Sequence, residues 1–148
     1  LPRAEKFTAA SKQLVYYSDI NWQFQTNPTS GNLDVEKNAA AVRQSLRLLM
    51  LTNLGEAPYQ PLKGSKVQNG LFDPVDQMTA DILQSSIEQA FIYEPRARNI
   101  QVQVTAQEGD QFGSDGDDTP GYFVAIAFEI VNLGPQIFTL NTILKRVR

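Results

Sequence analysis

Glu94, Pro95 and Arg96 set a carboxylate and a guanidinium on either side of a ring that fixes φ. Charges on so stiff a backbone project in set directions. Three uses are open to them: an intramolecular ion pair, an Arg96 placed near the last carbonyls of a preceding helix, or a polar hook for a partner. A second set is made of carboxylates alone. Glu56, Asp73, Glu88 and Glu94 are candidates for a two-acid glycoside hydrolase, a reaction that needs no histidine. With sixteen acidic residues in the chain, such pairs arise in almost any arrangement. A third set lies between Glu108 and Gly121, where Asp110, Asp115, Asp117 and Asp118 alternate with glycines. Oxygen-rich loops of this kind hold calcium, but the Asp-x-Asp-x-Asp-Gly order with a closing Glu is missing and no helix flanks it. The segment reads as a solvated hairpin loop, and neither a metal nor a cofactor is expected.

The chain has no histidine and no cysteine. A Ser-His-Asp triad, a cysteine nucleophile, a disulfide framework, a thiolate zinc site and a His-ligated metal are therefore excluded within it. The net charge of −3 argues against wrapping nucleic acid. No apolar run approaches eighteen residues, so no membrane-spanning helix is expected. Leu1 to Lys6 carries no apolar core of the kind a secretion signal needs.

The elements that must position these groups fall in order along 148 residues, the length of one domain with or without a tail. Residues 1–33 are rich in Ser, Thr, Gln, Asn and Pro and read as an extended N-terminal arm. Inside it, Leu14 to Phe24 holds the single Trp and two of the five Tyr, a cluster that packs on its own domain or on a neighbour. The domain proper spans 34–148. Asp34 reads as an N-cap, and Val35, Ala39, Val42, Leu46 and Leu49 recur at helical spacing, which predicts a helix over 35–53, roughly 28 Å long. A turn rich in Pro and Gly follows, then a short helix near 65–71. Asp76 or Thr79 caps a helix over 77–93 with Met78, Ile82, Leu83, Ile87, Ala90 and Phe91 as its apolar set, and Pro95 stops it. Period two then takes over. Ile100 to Ala106 predicts a strand with one wet face, Tyr122 to Val131 a strand apolar on both faces except at Glu129, and Gln136 to Val147 a third, long strand. Helices first and strands last make an α+β domain, two or three helices packed on a three-stranded antiparallel sheet.

The third strand ends the sequence and is apolar on both faces, about 12 residues or roughly 40 Å long. Lys145, Arg146 and Arg148 give it a basic end. Charge protects an exposed edge; the alternative is an edge offered to another chain for strand addition, with Phe138, Leu140, Thr142, Leu144, Lys145 and Arg146 at the contact.

An ordered set of residues carries a family resemblance: Asn38 to Leu46, Leu49, Thr52, Gly55-Glu56, Pro58, Pro61, Gly64, Leu71-Phe72, Ile87 to Ala90, Tyr93 to Arg96 and Ile100 to Val102, with Tyr17 to Ile20 upstream. The chain resembles the gene 25-like baseplate wedge family of contractile-tailed phages of the T-even type, relatives of a type VI secretion baseplate subunit. The resemblance implies a structural virion protein of the tail baseplate, assembled in the host cytoplasm. It implies contact with a helical core bundle of other wedge proteins at Glu94, Pro95 and Arg96. It also implies that the C-terminal strands start tail-sheath assembly, with tail tube or hub proteins as further neighbours. Members of the family are often called lysozyme-like, so a peptidoglycan-cleaving glycosidase is the alternative. No spaced acid pair stands out to support it, and the acidic balance does not favour an anionic cell wall.

Overall fold

The computed structural model describes residues 14–107 and 119–146. The expected acidic loop lies outside the described residues, as do Val147, Arg148 and the first thirteen positions. In chain order the elements are β1 (Ser18–Ile20), β2 (Val35–Lys37), α1 (Ala39–Leu51), α2 (Val67–Gly70), α3 (Gln77–Phe91), β3 (Ala97–Gln107), β4 (Gly121–Ile130) and β5 (Ile137–Lys145). β3, β4 and β5 form an antiparallel meander in that order, and β1 pairs antiparallel with β2. The α+β architecture expected from the sequence is the one observed.

Both long helices bury one stripe. Ala41, Val42, Leu46, Leu49 and Met50 of α1, and Ala80, Leu83, Ile87, Ala90 and Phe91 of α3, meet Val102, Val104, Tyr122, Val124, Ile126, Phe128, Ile130 and Leu144 on one face of the sheet. Asp76 caps α3 as its position predicts, its side chain accepting from the Thr79 N–H at 2.7 Å. That N–H bond holds the Asp76 carboxyl below its usual range. The opposite face of the sheet carries Gln101, Gln103 and Thr105 from β3 and Ala125 and Ala127 from β4. These residues alternate with the core row because side chains change face at every strand residue.

Three expectations need correction. The helix expected from 35 begins at Ala39, because Val35–Lys37 pairs with Ser18–Ile20, and Asp34 therefore caps nothing. Its N-cap is Asn38, held at φ 49°, a left-handed conformation that Asn tolerates better than most residues. The Asn38 amide points away from the helix: its Oδ1 accepts from Tyr16 N–H at 2.8 Å and its Nδ2 donates to the Leu14 carbonyl at 2.9 Å. Second, Met78 and Ile82 are exposed on α3 and not part of the core. Third, among the described residues β5 spans Ile137–Lys145, with Gln136 and Arg146 outside it; Val147, the expected last residue, lies outside the described residues. Apolar residues do fall on both its faces, but Thr139 and Asn141 dilute the outer row between Ile137 and Ile143.

The boundary expected at residues 33 and 34 falls within the β1–β2 unit, since Asn21 N–H also donates to the Asp34 carbonyl at 3.0 Å. Two members of the aromatic cluster of the arm lie on its own fold, while Leu14, Tyr16 and Phe24 stay exposed. Tyr17 packs against the core, its hydroxyl donating to the Val131 carbonyl at 2.8 Å, and the Trp22 ring lies under the Arg47 guanidinium at 5.7 Å.

Candidate partner interface

Glu94 sits where α3 gives way to β3. After Phe91 the chain makes two turns, Tyr93 N–H to Ala90 and Glu94 N–H to Phe91, and Pro95 forbids a further helical turn. The turn throws the Glu94 carboxylate inward, where it is 4% exposed. It accepts from Arg96 Nε at 2.7 Å, Arg96 Nη2 at 3.0 Å, the Arg96 backbone N–H at 3.2 Å and the Ser45 hydroxyl of α1. Arg96 has donors left over. Its Nη1 reaches Asp19 of β1 at 3.0 Å, and its guanidinium lies 5.9 Å from the centre of the Tyr17 ring. The network thus ties three distant stretches of chain together: the arm, α1 and the α3–β3 junction.

Its electrostatics follow from that geometry. Burial pushes the Glu94 carboxyl up, but the Arg96 and Ser45 hydrogen bonds, with the Arg96 charge, outweigh it and hold the group below its ordinary value of 4.5. The Glu94 hydrogen bond raises Arg96 far above its ordinary range against the opposing effect of burial. A carboxylate held this firmly ionised is the reverse of a general acid, whose proton must be kept at neutral pH. Of the other acids considered for hydrolysis, Glu56 accepts from the Asn53 N–H at 2.8 Å on an exposed turn, and Asp73 is exposed. Glu88 shares a shallow groove of about 370 Å³ with Glu94 and Pro95, but Glu94 spends its oxygens on Arg96 and Ser45. Among the described residues no group of three potential metal-ligating side chains comes together, and no helix is long and apolar enough to cross a membrane.

Of the three sequence-stated uses of the Glu-Pro-Arg run, the geometry realises the intramolecular pair. Pro95 and the outer side of Arg96 remain accessible. Next to them a groove of about 590 Å³ runs between Ile20, Leu48, Lys63 and Arg96. Ser45, Asp19 and Tyr17 complete the network and were not assigned to it from sequence, although all three lie within segments that carry the family resemblance.

The second candidate surface is the free edge of β5. Arg146 N–H donates to the Pro120 carbonyl at 3.0 Å, so by alternation Phe138, Leu140, Thr142 and Leu144 exchange hydrogen bonds with β4 and turn their side chains to the core. The peptide groups of Ile137, Thr139, Asn141 and Ile143 point to the open side. One of them is occupied, since Arg43 Nε of α1 donates to the Thr139 carbonyl at 3.0 Å with its guanidinium 5.8 Å from the Phe138 ring. The opposite edge, β3, is treated alike: Gln84 of α3 accepts from the Val104 N–H at 3.3 Å. The two edges differ in regularity. β3 breaks register between Arg98 and Gln101, where Asn99 takes φ 51°, whereas β5 pairs without interruption from Ile137 to Lys145. The structure thus places Phe138, Leu140, Thr142, Leu144 and Lys145 on one strand with Arg146 just beyond its end, far in sequence from Glu94, Pro95 and Arg96.

Comparison with known proteins bears on what these surfaces serve. Residues 36–122 match the model of the family described as baseplate wedge protein gp25. The baseplate wedge protein gp25 of Enterobacteria phage T4 is 31% identical over 91 residues, 60% of this chain and 67% of that protein. The fold is also that of a chain in the six-fold symmetrised cryo-EM structure of the anti-feeding prophage baseplate, with a TM-score of 0.54 at 19% identity over 89% of this chain and 87% of that one. A putative tail lysozyme from Geobacter sulfurreducens has it too, with a TM-score of 0.52 at 20% identity over 72% of this chain and 89% of the other.

Proposed function

Since the chain belongs to the baseplate wedge protein gp25 family, we propose that it joins the helical core bundle of neighbouring wedge proteins and offers its β5 edge to the first tail-sheath subunit. Its place is the tail baseplate of a virion, and its role there is structural. No catalytic step is assigned to it: among the described residues the one buried carboxylate, Glu94, is locked to Arg96 and is not poised to give up a proton.

The observation that supports sheath initiation is the uninterrupted pairing of β5, which turns a row of peptide groups to its far side, one of them engaged by Arg43. An incoming strand gains affinity from the backbone and register from alternate side chains. The exposed basic end at Lys145 and Arg146 steers an acidic arm, an effect that weakens with salt. On the Glu-Pro-Arg side the bundle meets Pro95 and the groove beside Arg96, whose floor includes half-exposed Leu48. Glu94 shapes that surface from within.

Proline at Asn141 tests the sheath contact, because the lost N–H faces the open side. Chains carrying Asn141→Pro are expected to enter baseplates that nucleate no sheath. Sheaths of normal length on such baseplates would overturn the reading. Leu48→Asp addresses the other contact and is expected to abolish co-assembly with wedge proteins while leaving the isolated chain folded. Turbidity of purified peptidoglycan is expected to stay unchanged by the protein, and clearance that disappears in Glu88→Gln would favour hydrolysis instead.

A further inference from the structure

α3 has a second apolar stripe that the fold leaves unused. Met78, Ile82, Ser85, Gln89 and Ile92 follow one another at steps of four and three residues, the spacing of a coiled-coil seam. Met78, Ile82 and Ile92 are 74%, 58% and 79% exposed, and Ser85 in the middle is small enough to admit a close neighbour. The stripe forms one wall of a groove of about 700 Å³, whose other wall carries Leu54, Leu62 and Lys66, so the acidic flank of α3 is the side of the stripe away from that lysine. No described residue fills it. Scattered exposed apolar residues need no explanation, but three large ones at the ends and near the middle of one seam, along one groove, do.

Charge says what kind of helix fits. α3 contains two acids beside this stripe, Asp81 and Glu88, one heptad apart on the same flank, and no Lys or Arg at all. Their side chains take only amide hydrogens, from Gln77 and Gln84, and neither forms an ion pair among the described residues. We infer that the outer stripe of α3 docks an amphipathic α-helix of a partner protein that carries Lys or Arg at seven-residue spacing beside its apolar seam. A second copy of this chain is the wrong occupant. Antiparallel pairing would set Asp81 and Glu88 against their own counterparts, and in neither orientation does another α3 bring a cation. The groove reaches the Glu94 turn through Ile92 and Tyr93, but it shares no lining residue with the groove beside Arg96 or with the β5 edge, so Met78 and Ile82 report on it separately from either contact proposed above.

Methyl NMR of the full chain against two designed helical peptides tests it. Both peptides are about 21 residues long, three heptads with the same leucine seam, and differ only in Lys or Glu along the flank. The Lys peptide is expected to shift the Met78, Ile82 and Ile92 methyl signals and to bind about tenfold more tightly than the Glu peptide at low salt. The Asp81→Lys, Glu88→Lys double variant should reverse the preference. Ile82→Asp, at an exposed position, should abolish binding without lowering the thermal midpoint. The inference is overturned if neither peptide moves those methyls, if both bind alike, if Ile82→Asp binds as before, or if the same signals shift when the chain alone is concentrated.

Discussion

The Glu94–Arg96 junction and the β5 edge are both polar, yet they handle their hydrogen bonds in opposite ways. At the junction, the carboxylate takes four donors from its own chain, and Arg96 extends its Nη1 to Asp19. At the edge, a row of peptide groups faces outward with one carbonyl engaged by Arg43. A closed network reports its integrity as stability; an open edge reports it as assembly. The contrast shows how a buried carboxylate such as Glu94 can matter to a surface it does not itself reach.

Glu94→Ala is the hardest blow to this distinction. Removing one member of a buried, hydrogen-bonded ion pair is expected to cost about 3–5 kcal/mol, measured by urea unfolding of the isolated chain. A change within experimental error would mean that the junction, like the edge, serves only the assembly. Two proline variants on β5 come next. Thr142→Pro removes an N–H bonded to β4 and should cost about 3 kcal/mol, whereas Asn141→Pro removes one that faces out and should cost much less. Equal losses in thermal melts would show that the edge is not open as described.

Acid brings out the same contrast more gradually. The Glu94 carboxyl is depressed in the folded chain, so its contribution is complete above its unfolded value of 4.5 and is lost as the pH falls through the lower folded value. Unfolding free energy measured from pH 6 to pH 2 should therefore decline along a steeper acid limb in the native chain than in Glu94→Gln. Matching slopes would count against the network. The smallest effect is expected at Arg43→Ala, which gives up one partly exposed hydrogen bond and a ring contact, together about 1 kcal/mol. Sheath nucleation should survive it, because the backbone row itself is intact.

What could be read from the sequence was local. Asp76 and Pro95 bracket α3 with chemistry that acts within a few residues, the alternation of β3 is plain in the order of residues, and β4 is legible as a run apolar on both faces. The start of α1 was hidden because Val35 fits a helical period equally well, and only its pairing with Ile20 decides against it. Met78 and Ile82 misled for a related reason: period alone marks a helix as apolar but does not tell which of two stripes meets the sheet. The Glu-Pro-Arg run stayed ambiguous because the groups that close it, Ser45 and Asp19, lie 49 and 77 residues away. The side of β5 that is open follows from register, which no composition reveals; it excludes Leu140 and Thr142 as sites for a harmless proline.

Arg43 gives the β5 edge a place in time as well as in space. A carbonyl has two lone pairs, and at Thr139 one of them is already spoken for, with a bulky guanidinium standing beside the strand. A newly made chain therefore meets its own kind with a guarded edge, and casual pairing between copies is slowed. A strand that arrives in register along the remaining row can push the side chain aside and recover its hydrogen bond many times over. If the β5 edge receives a sheath strand as proposed above, the guard penalises brief, partial encounters more than complete ones, and a single side chain of the neighbouring helix then helps to set the order in which subunits join.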